Sequence, residues 1–114
     1  MLILATALII AVAATAADEA APAAIERAQT LIAQKLKDPE AARFRGVRFN
    51  PDTGIACGQV NMKNGFGGYV GYQDFIVRDD FALTRGEAAA SLQPLFDEAW
   101  RQCHVAPAVP EPAA

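Results

Sequence analysis

The sequence contains few of the side chains that commonly carry acid–base or metal chemistry, with one histidine, His104, and two cysteines, Cys57 and Cys103. No spacing of acids, bases or nucleophiles in the chain matches a catalytic arrangement. The glycines that follow Asn64 lack the G-x-G-x-x-G spacing of a dinucleotide site, and no helix pattern follows them. The sequence therefore predicts no catalytic residue, no metal site and no cofactor.

Positive charge is also scarce, because 10 Lys and Arg residues stand against 13 Asp and Glu residues and give a net charge of -3. This balance argues against a nucleic acid or an anionic membrane as the partner. The one basic cluster consists of Arg43, Arg45 and Arg48, and acidic residues lie close to it in the sequence. We interpret this cluster as a solvated surface, with an anion site as the alternative.

The first 17 residues carry no charged side chain. Leu2 to Val12 form an apolar stretch and Ala13 to Ala17 supply small residues for cleavage, which is typical of a signal peptide. We predict a signal peptide over residues 1–17 with cleavage after Ala16 or Ala17, which would leave no integral membrane domain. The basic residues that usually precede the apolar stretch are missing, so an uncleaved membrane anchor is the alternative.

Export would place Cys57 and Cys103 in an oxidising compartment, where paired cysteines form disulfides. We therefore predict a disulfide between Cys57 and Cys103, with two free thiols as the alternative. In the chain-entropy model, closing a loop of this length stabilises the folded state by about 4 kcal/mol.

His104 directly follows Cys103, which suggests a Cys/His catalytic pair or, together with Cys57, a metal site. Adjacent helical residues do not face each other, and a zinc site would need further ligands that the sequence supplies only as generic carboxylates. We interpret His104 instead as a residue at a helix C-terminus, where its charged form interacts favourably with the helix dipole.

Apolar residues at helical spacing predict two helices. The first extends over residues 22–37 with Pro22 in its first turn, and a short helical turn over residues 39–43 follows it, with Asp38 as its cap. The second begins near Ser91. Its inward-facing stripe consists of Leu92, Leu95, Phe96, Ala99, Trp100 and Cys103.

Between the helices the apolar pattern changes to alternation, which predicts strands. Turn residues at 50–54 and at 64–65 separate these strands into a three-stranded antiparallel meander. The first strand contains Val47 and Phe49, the second runs from Ile55 to about Lys63, and the third runs from Tyr69 to Val77. Phe81 and Leu83 suit a short edge strand, which we do not count in the predicted sheet.

The second strand has an irregular pattern, because its apolar residues occupy odd positions at Ile55 and Cys57 but even positions at Val60 and Met62. In a regular strand these two pairs would point to opposite faces of the sheet. Glycine accepts the backbone angles of a bulged position, so we expect a bulge at Gly58 that shifts the register.

These elements predict one α+β domain over residues 18–104, with both helices packed on one face of the sheet. The disulfide would tie the C-terminal helix to the second strand. Residues 105–114 are rich in proline and alanine and are predicted to form a disordered tail.

The segment from Val60 to Tyr72 places four glycines and three aromatic residues among polar ones. One interpretation is structural, since glycines allow tight turns and close strand approach. The other is a recognition surface, since tyrosines give contact area at a low entropic cost and amides give hydrogen bonds. The candidate binding residues are Asn61, Lys63, Asn64, Phe66, Tyr69 and Tyr72.

Two stretches carry a family resemblance: LKDPEAARFR at residues 36–45 and CGQVNMKNGFGGYVGYQDFIV at residues 57–77. With them the chain resembles a group of small exported bacterial and prophage proteins of uncharacterised function. Those proteins pair K-D-P-x-S-A-x-F with C-G-x-V-N-x-K-N-x-x-G-G-Y, and Ala41, Met62 and Gly65 depart from that pattern. The resemblance implies a bacterial domain that is periplasmic or secreted, and it brings no catalytic residue.

We therefore expect a non-enzymatic module that binds a protein or a component of the cell envelope. With an uncleaved N-terminal segment, the same module would be anchored in the inner membrane. The alternative function is a small envelope hydrolase that uses carboxylates for acid–base chemistry. Its candidate carboxylates are Asp74, Asp79, Asp80, Asp97 and Glu98.

Overall fold

The computed structural model describes residues 16–105 of the chain. In chain order these residues form helix α1 (Ala16–Ala33), a 3-10 turn (Pro39–Ala41), strands β1 (Arg43–Asn50), β2 (Ile55–Lys63), β3 (Tyr69–Arg78) and β4 (Phe81–Thr84), a second 3-10 turn (Ala90–Leu92) and helix α2 (Gln93–His104). The predicted α+β class is confirmed. Residues 1–15 and 106–114 lie outside the described residues, so the signal peptide and the disordered tail stay predictions.

The sheet has four antiparallel strands in the order β1-β2-β3-β4, so the prediction of a three-stranded sheet is wrong. The fourth strand is the short edge strand that Phe81 and Leu83 were expected to suit. Asp79 adopts a φ of 53°, a conformation that aspartate tolerates, and the chain returns along β3 after two residues. In β4 the consecutive residues Ala82 and Leu83 are both buried. A strand that is buried on both faces lacks the alternation that marks a half-exposed strand in a sequence.

The two helices lie on opposite faces of the sheet. Ala28 and Ile32 of α1 pack in a core cluster with Ala56, Val60, Phe75, Val77 and Ala82. Phe96 and Cys103 of α2 pack in a second cluster with Ile55, Cys57, Ile76 and Leu83. Since adjacent strand residues point to opposite faces, the predicted packing of both helices on one face is wrong. The predicted packing of the C-terminal helix on the sheet is confirmed.

The bulge in the first hairpin lies on β1 at Gly46 and Val47, and not at Gly58 of β2 as predicted. The pairs on its two sides are Arg45 with Gln59 and Arg48 with Cys57. Gly46 has a φ of 61°, which favours glycine. Gly58 is required for a different reason, because a Cβ atom there would lie 2.9 Å from the Cα atom of Val47.

Helix α1 begins at Ala16 and ends at Ala33, whereas the predicted span was 22–37. Pro22 therefore lies inside the helix and not in its first turn. The alanines before it have the highest helix propensity of any residue, which favours the earlier start. Leu36 still packs against the core from the turn after the helix. Asp38 precedes the 3-10 turn as expected but forms no side-chain capping bond.

Helix α2 begins at Gln93, close to the predicted start, and has Pro94 in its first turn; its N-cap is Leu92, so Ser91 does not cap it. The predicted inward stripe is correct for Phe96 and Cys103, which are buried. It is wrong for Leu92 and Leu95, whose exposed fractions are 37% and 54%. The exposed leucines lie at the start of the helix, beside the β4 edge.

The C-terminus of α2 is held by the buried side chain of Asn50. Its Nδ2 donates hydrogen bonds to the carbonyl oxygens of Gln102 and Val105 at 2.9 and 2.8 Å. Its Oδ1 accepts a hydrogen bond from the backbone N–H of Asp52 at 2.9 Å, which also orders the β1–β2 turn. Between Ala16 and Val105, neither helix has the length and apolar character needed to cross a membrane.

Candidate functional site

The candidate site is the part of the sheet surface that lies opposite α1 and beside the region covered by α2. We call it the hairpin face. Directly paired strand residues share a face, so the register identifies its members. The rows that cross it are Arg45, Gln59 and Asp74; Arg43, Asn61 and Tyr72; and Lys63 and Tyr69.

Arg45 and Tyr72 form the first stacked pair of the hairpin face. The guanidinium carbon of Arg45 lies 3.8 Å from the centroid of the Tyr72 ring, a cation–π arrangement. The Nε of Arg45 donates a hydrogen bond to Oε1 of Gln59 at 2.7 Å, and Nε2 of Gln59 donates one to Asp74 at 3.0 Å. These bonds fix the guanidinium plane across three strands. Tyr72 keeps 36% of its surface exposed.

Arg43 and Tyr69 form the second stacked pair, with the guanidinium carbon 4.2 Å from the ring centroid. The Nζ of Lys63 lies 5.5 Å from the same centroid. The Tyr69 hydroxyl donates a hydrogen bond to the carbonyl oxygen of Ala41 at 3.1 Å, which ties β3 to the 3-10 turn before β1. Tyr69 therefore has a structural role as well as a place on the surface.

The two asparagines among the predicted binding residues hold the backbone of the hairpin. Oδ1 of Asn61 accepts a hydrogen bond from the N–H of Gly71 at 3.0 Å, at a bulge on β3 where Gly71 has a φ of 102°. Oδ1 of Asn64 accepts hydrogen bonds from the N–H groups of Phe66 and Gly68 at 2.9 and 3.1 Å. Phe66 itself, at the tip of the turn, is 99% exposed.

The structure thus brings Lys63, Tyr69 and Tyr72 together, as the sequence interpretation required. It adds Arg43 and Arg45, which the sequence interpretation assigned to a separate solvated surface. In principle, these arginines could be aligned with residues of the second strand by counting strand pairs back from the turn at 50–54. The count fails by one residue unless the bulge is placed on β1, and a shift of one residue moves a side chain to the other face.

The predicted disulfide between Cys57 and Cys103 is present, so the alternative of two free thiols is wrong. The His104 ring lies against it, with its nitrogens 3.8 and 3.9 Å from Sγ of Cys57. Nδ1 of His104 donates a hydrogen bond to the carbonyl oxygen of Trp100 at 2.7 Å. Ligand atoms of Cys57, Cys103 and His104 lie within 4.8 Å of one another. Metal ions bind thiolates, which the disulfide does not supply.

A second concave surface lies between α2 and the sheet, on the side of α2 away from the hairpin face. It has a volume of about 450 Å³ and is lined by Ile55, Ile76, Arg78, Asp79, Phe81, Leu95, Glu98, Ala99 and Gln102. Phe81 is 49% exposed there. Two candidate carboxylates, Asp79 and Glu98, therefore border one groove.

Four of the five candidate carboxylates are held by different partners. Arg27 pairs with Asp80, Arg85 with Asp97 at 2.6 Å, Arg101 with Glu98 at 2.5 Å, and Gln59 with Asp74 at 3.0 Å. The hydrogen bond from Arg101, with a further one from Gln102, lowers the pKa of Glu98 below its ordinary value of 4.5. A carboxyl with a lowered pKa is a poorer proton donor and a poorer base near neutral pH.

Comparison of the chain with protein-family models, with curated proteins and with solved structures gives no match.

Proposed function

We propose that this chain is an exported, non-enzymatic module that binds a protein or an envelope component through the hairpin face. The observation that carries the proposal is the pair of arginine–tyrosine stacks, 3.8 and 4.2 Å between guanidinium carbon and ring centroid, on a part of the sheet that neither α1 nor α2 covers. Tyrosine and arginine, together with tryptophan, are the side chains enriched among the residues that dominate binding energy at interfaces. Because the stacks are already ordered, binding would immobilise few side chains.

The resemblance to exported bacterial and prophage proteins supports a periplasmic or secreted location, as does the disulfide, since such bonds persist in oxidising compartments. Under this proposal the disulfide has a mechanical role. It ties α2 to β2 at Cys57, which lies two residues before Gln59 of the hairpin face and on the same side of the sheet.

A photo-crosslinking residue at the exposed tip position, Phe66, tests the proposal in bacterial cells that express the tagged chain. We expect a discrete adduct, and we expect Tyr72→Ala to reduce it strongly. The matched control is Phe81→Ala, because Phe81 is also an exposed aromatic residue but lies on β4 outside the hairpin face. An adduct that survives Tyr72→Ala, or that both variants reduce equally, would argue against binding through this face.

The variants must be compared at equal stability. Tyr72→Ala removes a side chain that is partly exposed, so we expect its melting temperature to fall by only a few degrees. Tyr69→Ala is a poor probe, because it also removes the hydrogen bond to Ala41. Tyr69→Phe removes only the hydroxyl and separates this bond from the contribution of the ring.

The alternative, an envelope hydrolase, is favoured by one observation: Asp79 and Glu98 border the same groove beside α2. The lowered pKa of Glu98 weakens this alternative, because a general acid must be protonated at the working pH. Glu98 would have to act as the ionised partner and Asp79 as the acid. Hydrolysis of isolated envelope material that is lost in Asp79→Asn and retained in Tyr72→Ala would replace the binding proposal with this one.

A further inference from the structure

We infer that the partner of the hairpin face is an acidic polypeptide segment in an extended conformation, with carboxylates at alternate positions that bind Arg43 and Arg45. This inference rests on the binding function proposed above. It names the chemistry of the partner.

The first argument is the orientation of the two guanidinium groups. A guanidinium that stacks on a ring leaves its N–H edges free to bind a carboxylate with two hydrogen bonds. Arg45 uses its Nε on Gln59, which leaves its terminal N–H groups for a ligand. The stacks therefore present two oriented carboxylate sites.

The second argument is the charge distribution. Elsewhere in the described residues four cations pair with acids: Arg27 with Asp80, Lys35 with Glu87, Arg85 with Asp97 and Arg101 with Glu98. Three others in that part of the chain, Lys37, Arg48 and Arg78, form no ion pair but are not grouped with one another in the sequence. Within residues 16–105, Arg43, Arg45 and Lys63 also form no ion pair, and these three lie together on the hairpin face. A cluster of unpaired cations on a chain of net charge -3 is complementary to a local acidic partner.

The third argument is spacing. Arg43 and Arg45 are alternate residues of one strand, so their side chains leave the same face about 7 Å apart. Alternate residues of an extended peptide have the same spacing. The headgroups of an anionic membrane have no fixed spacing that would match the two arginines. A chain of net charge -3 is also repelled by such a membrane at distances up to a Debye length.

The test measures binding of a fluorescein-labelled peptide of alternating glutamate and threonine to the full chain by fluorescence anisotropy. The control peptides carry glutamine in place of glutamate, or carry the same glutamates in one contiguous block. We expect the alternating peptide to bind best and to weaken as salt is raised. We expect Arg43→Gln with Arg45→Gln to weaken its binding roughly tenfold, since both carboxylate sites are lost.

The matched control protein carries Arg78→Gln with Arg101→Gln, which changes the net charge equally but outside the hairpin face. Equal weakening in both double variants would show attraction by net charge and would overturn the inference. Binding to vesicles of anionic phospholipid, without binding to the alternating peptide, would overturn it in favour of a lipid surface.

The outcomes also separate this inference from the proposed function. If no acidic peptide binds but the adduct from position 66 still depends on Tyr72, the partner chemistry is wrong and the binding function stands. If the adduct is absent as well, the proposed function fails together with the inference.

Discussion

Replacing Gly58 with alanine tests the packing that places the hairpin face. Gly58 lies on β2 opposite the β1 bulge, and a Cβ atom there would lie 2.9 Å from both Cα and Cγ2 of Val47. It would also lie 3.1 Å from Cζ of Phe75. Carbon atoms in proteins are normally about 3.5 to 4.0 Å apart, so all three distances are too short.

The size of the effect follows from which atoms can move. A Phe75 ring can shift slightly, but the Cα atom of Val47 belongs to the backbone of the bulge. Overpacking a core costs about 1 to 3 kcal/mol, and removing a glycine from the unfolded chain offsets about 0.4 to 1 kcal/mol of this. Because the backbone of the bulge cannot move as a side chain can, we place the cost near the upper end of that range, so that Gly58→Ala lowers the free energy of unfolding by about 2 kcal/mol after the offset. In a domain of this size that corresponds to a fall in melting temperature of roughly 8 to 16 °C.

Thermal unfolding followed by circular dichroism and urea titration, with the disulfide intact, measures this loss. The matched control is Gly65→Ala, since a Cβ atom at Gly65 meets nothing within 4 Å. We expect the control to unfold within about 0.5 kcal/mol of the natural chain, as exposed substitutions usually do. Adding Val47→Ala to Gly58→Ala removes the clash with Cγ2 but leaves the backbone of Val47 in place, so it should restore only part of the loss.

Equal stability of Gly58→Ala and Gly65→Ala would refute this reasoning, because the close approach of β1 to β2 would then be absent. Full recovery with Val47→Ala would refute a narrower point. It would show that the side chain of Val47, and not the backbone of the bulge, limits the space at position 58.

Two further predictions concern α2. Cys57→Ala with Cys103→Ala opens a link across 46 residues and should lower the free energy of unfolding by about 4 kcal/mol in urea titration; a loss under about 1 kcal/mol would contradict the chain-entropy argument. Glu98 should titrate below 4.5 in an NMR pH titration, because Arg101 bonds its ionised form. Its contribution to stability is then full above the unfolded-state pKa and is lost as pH falls through the lowered pKa. Arg101→Gln should raise the midpoint, and an unchanged midpoint would contradict the assignment.

The strands and their turns were predictable where the turn chemistry is local. The turn at 50–54 and the Asn64–Gly65 turn set the limits of β2, which the structure places at Ile55–Lys63 as expected. Asn64 shows why such signals work, since its own side chain orders the next residues by accepting two backbone hydrogen bonds. The disulfide was predictable because the number of cysteines left only one pairing.

The placement of α1 and α2 on opposite faces was not predicted, because the pattern of β2 was interpreted as a shifted half-buried strand. Its residues Ile55, Ala56 and Cys57 are all buried, as in strands that are covered on both faces. No bulge on β2 is needed to explain why apolar residues occur at both odd and even positions. The odd-numbered residues Ile55 and Cys57 pack against α2, and the even-numbered residues Ala56 and Val60 pack against α1.

The candidate site was predicted in part for a related reason. Tyr69 and Tyr72 belong to the segment that composition marks as unusual, and the sheet places them on one face with Lys63. Arg43 and Arg45 join them only through long-range pairing, which a linear pattern does not contain. The bulge at Gly46 sets this pairing. Glycine adopts the same backbone conformation in turns and at helix ends, so a glycine at position 46 does not by itself identify a bulge in the sequence.

The position of α2 explains why, within residues 16–105, part of one sheet face has no helix to cover it. Cys103 is bonded to Cys57, and Asn50 holds the carbonyl groups at the helix C-terminus, so α2 is fixed at both the sheet and the β1–β2 turn. Beyond Cys57 the same face continues through Gln59 and Asn61, where the two arginine–tyrosine stacks join β1 to β3 across β2. A helix that was free to shift could bury those stacks against itself. Under the proposed function, the disulfide and the Asn50 cap prevent this shift and keep the hairpin face available to a partner.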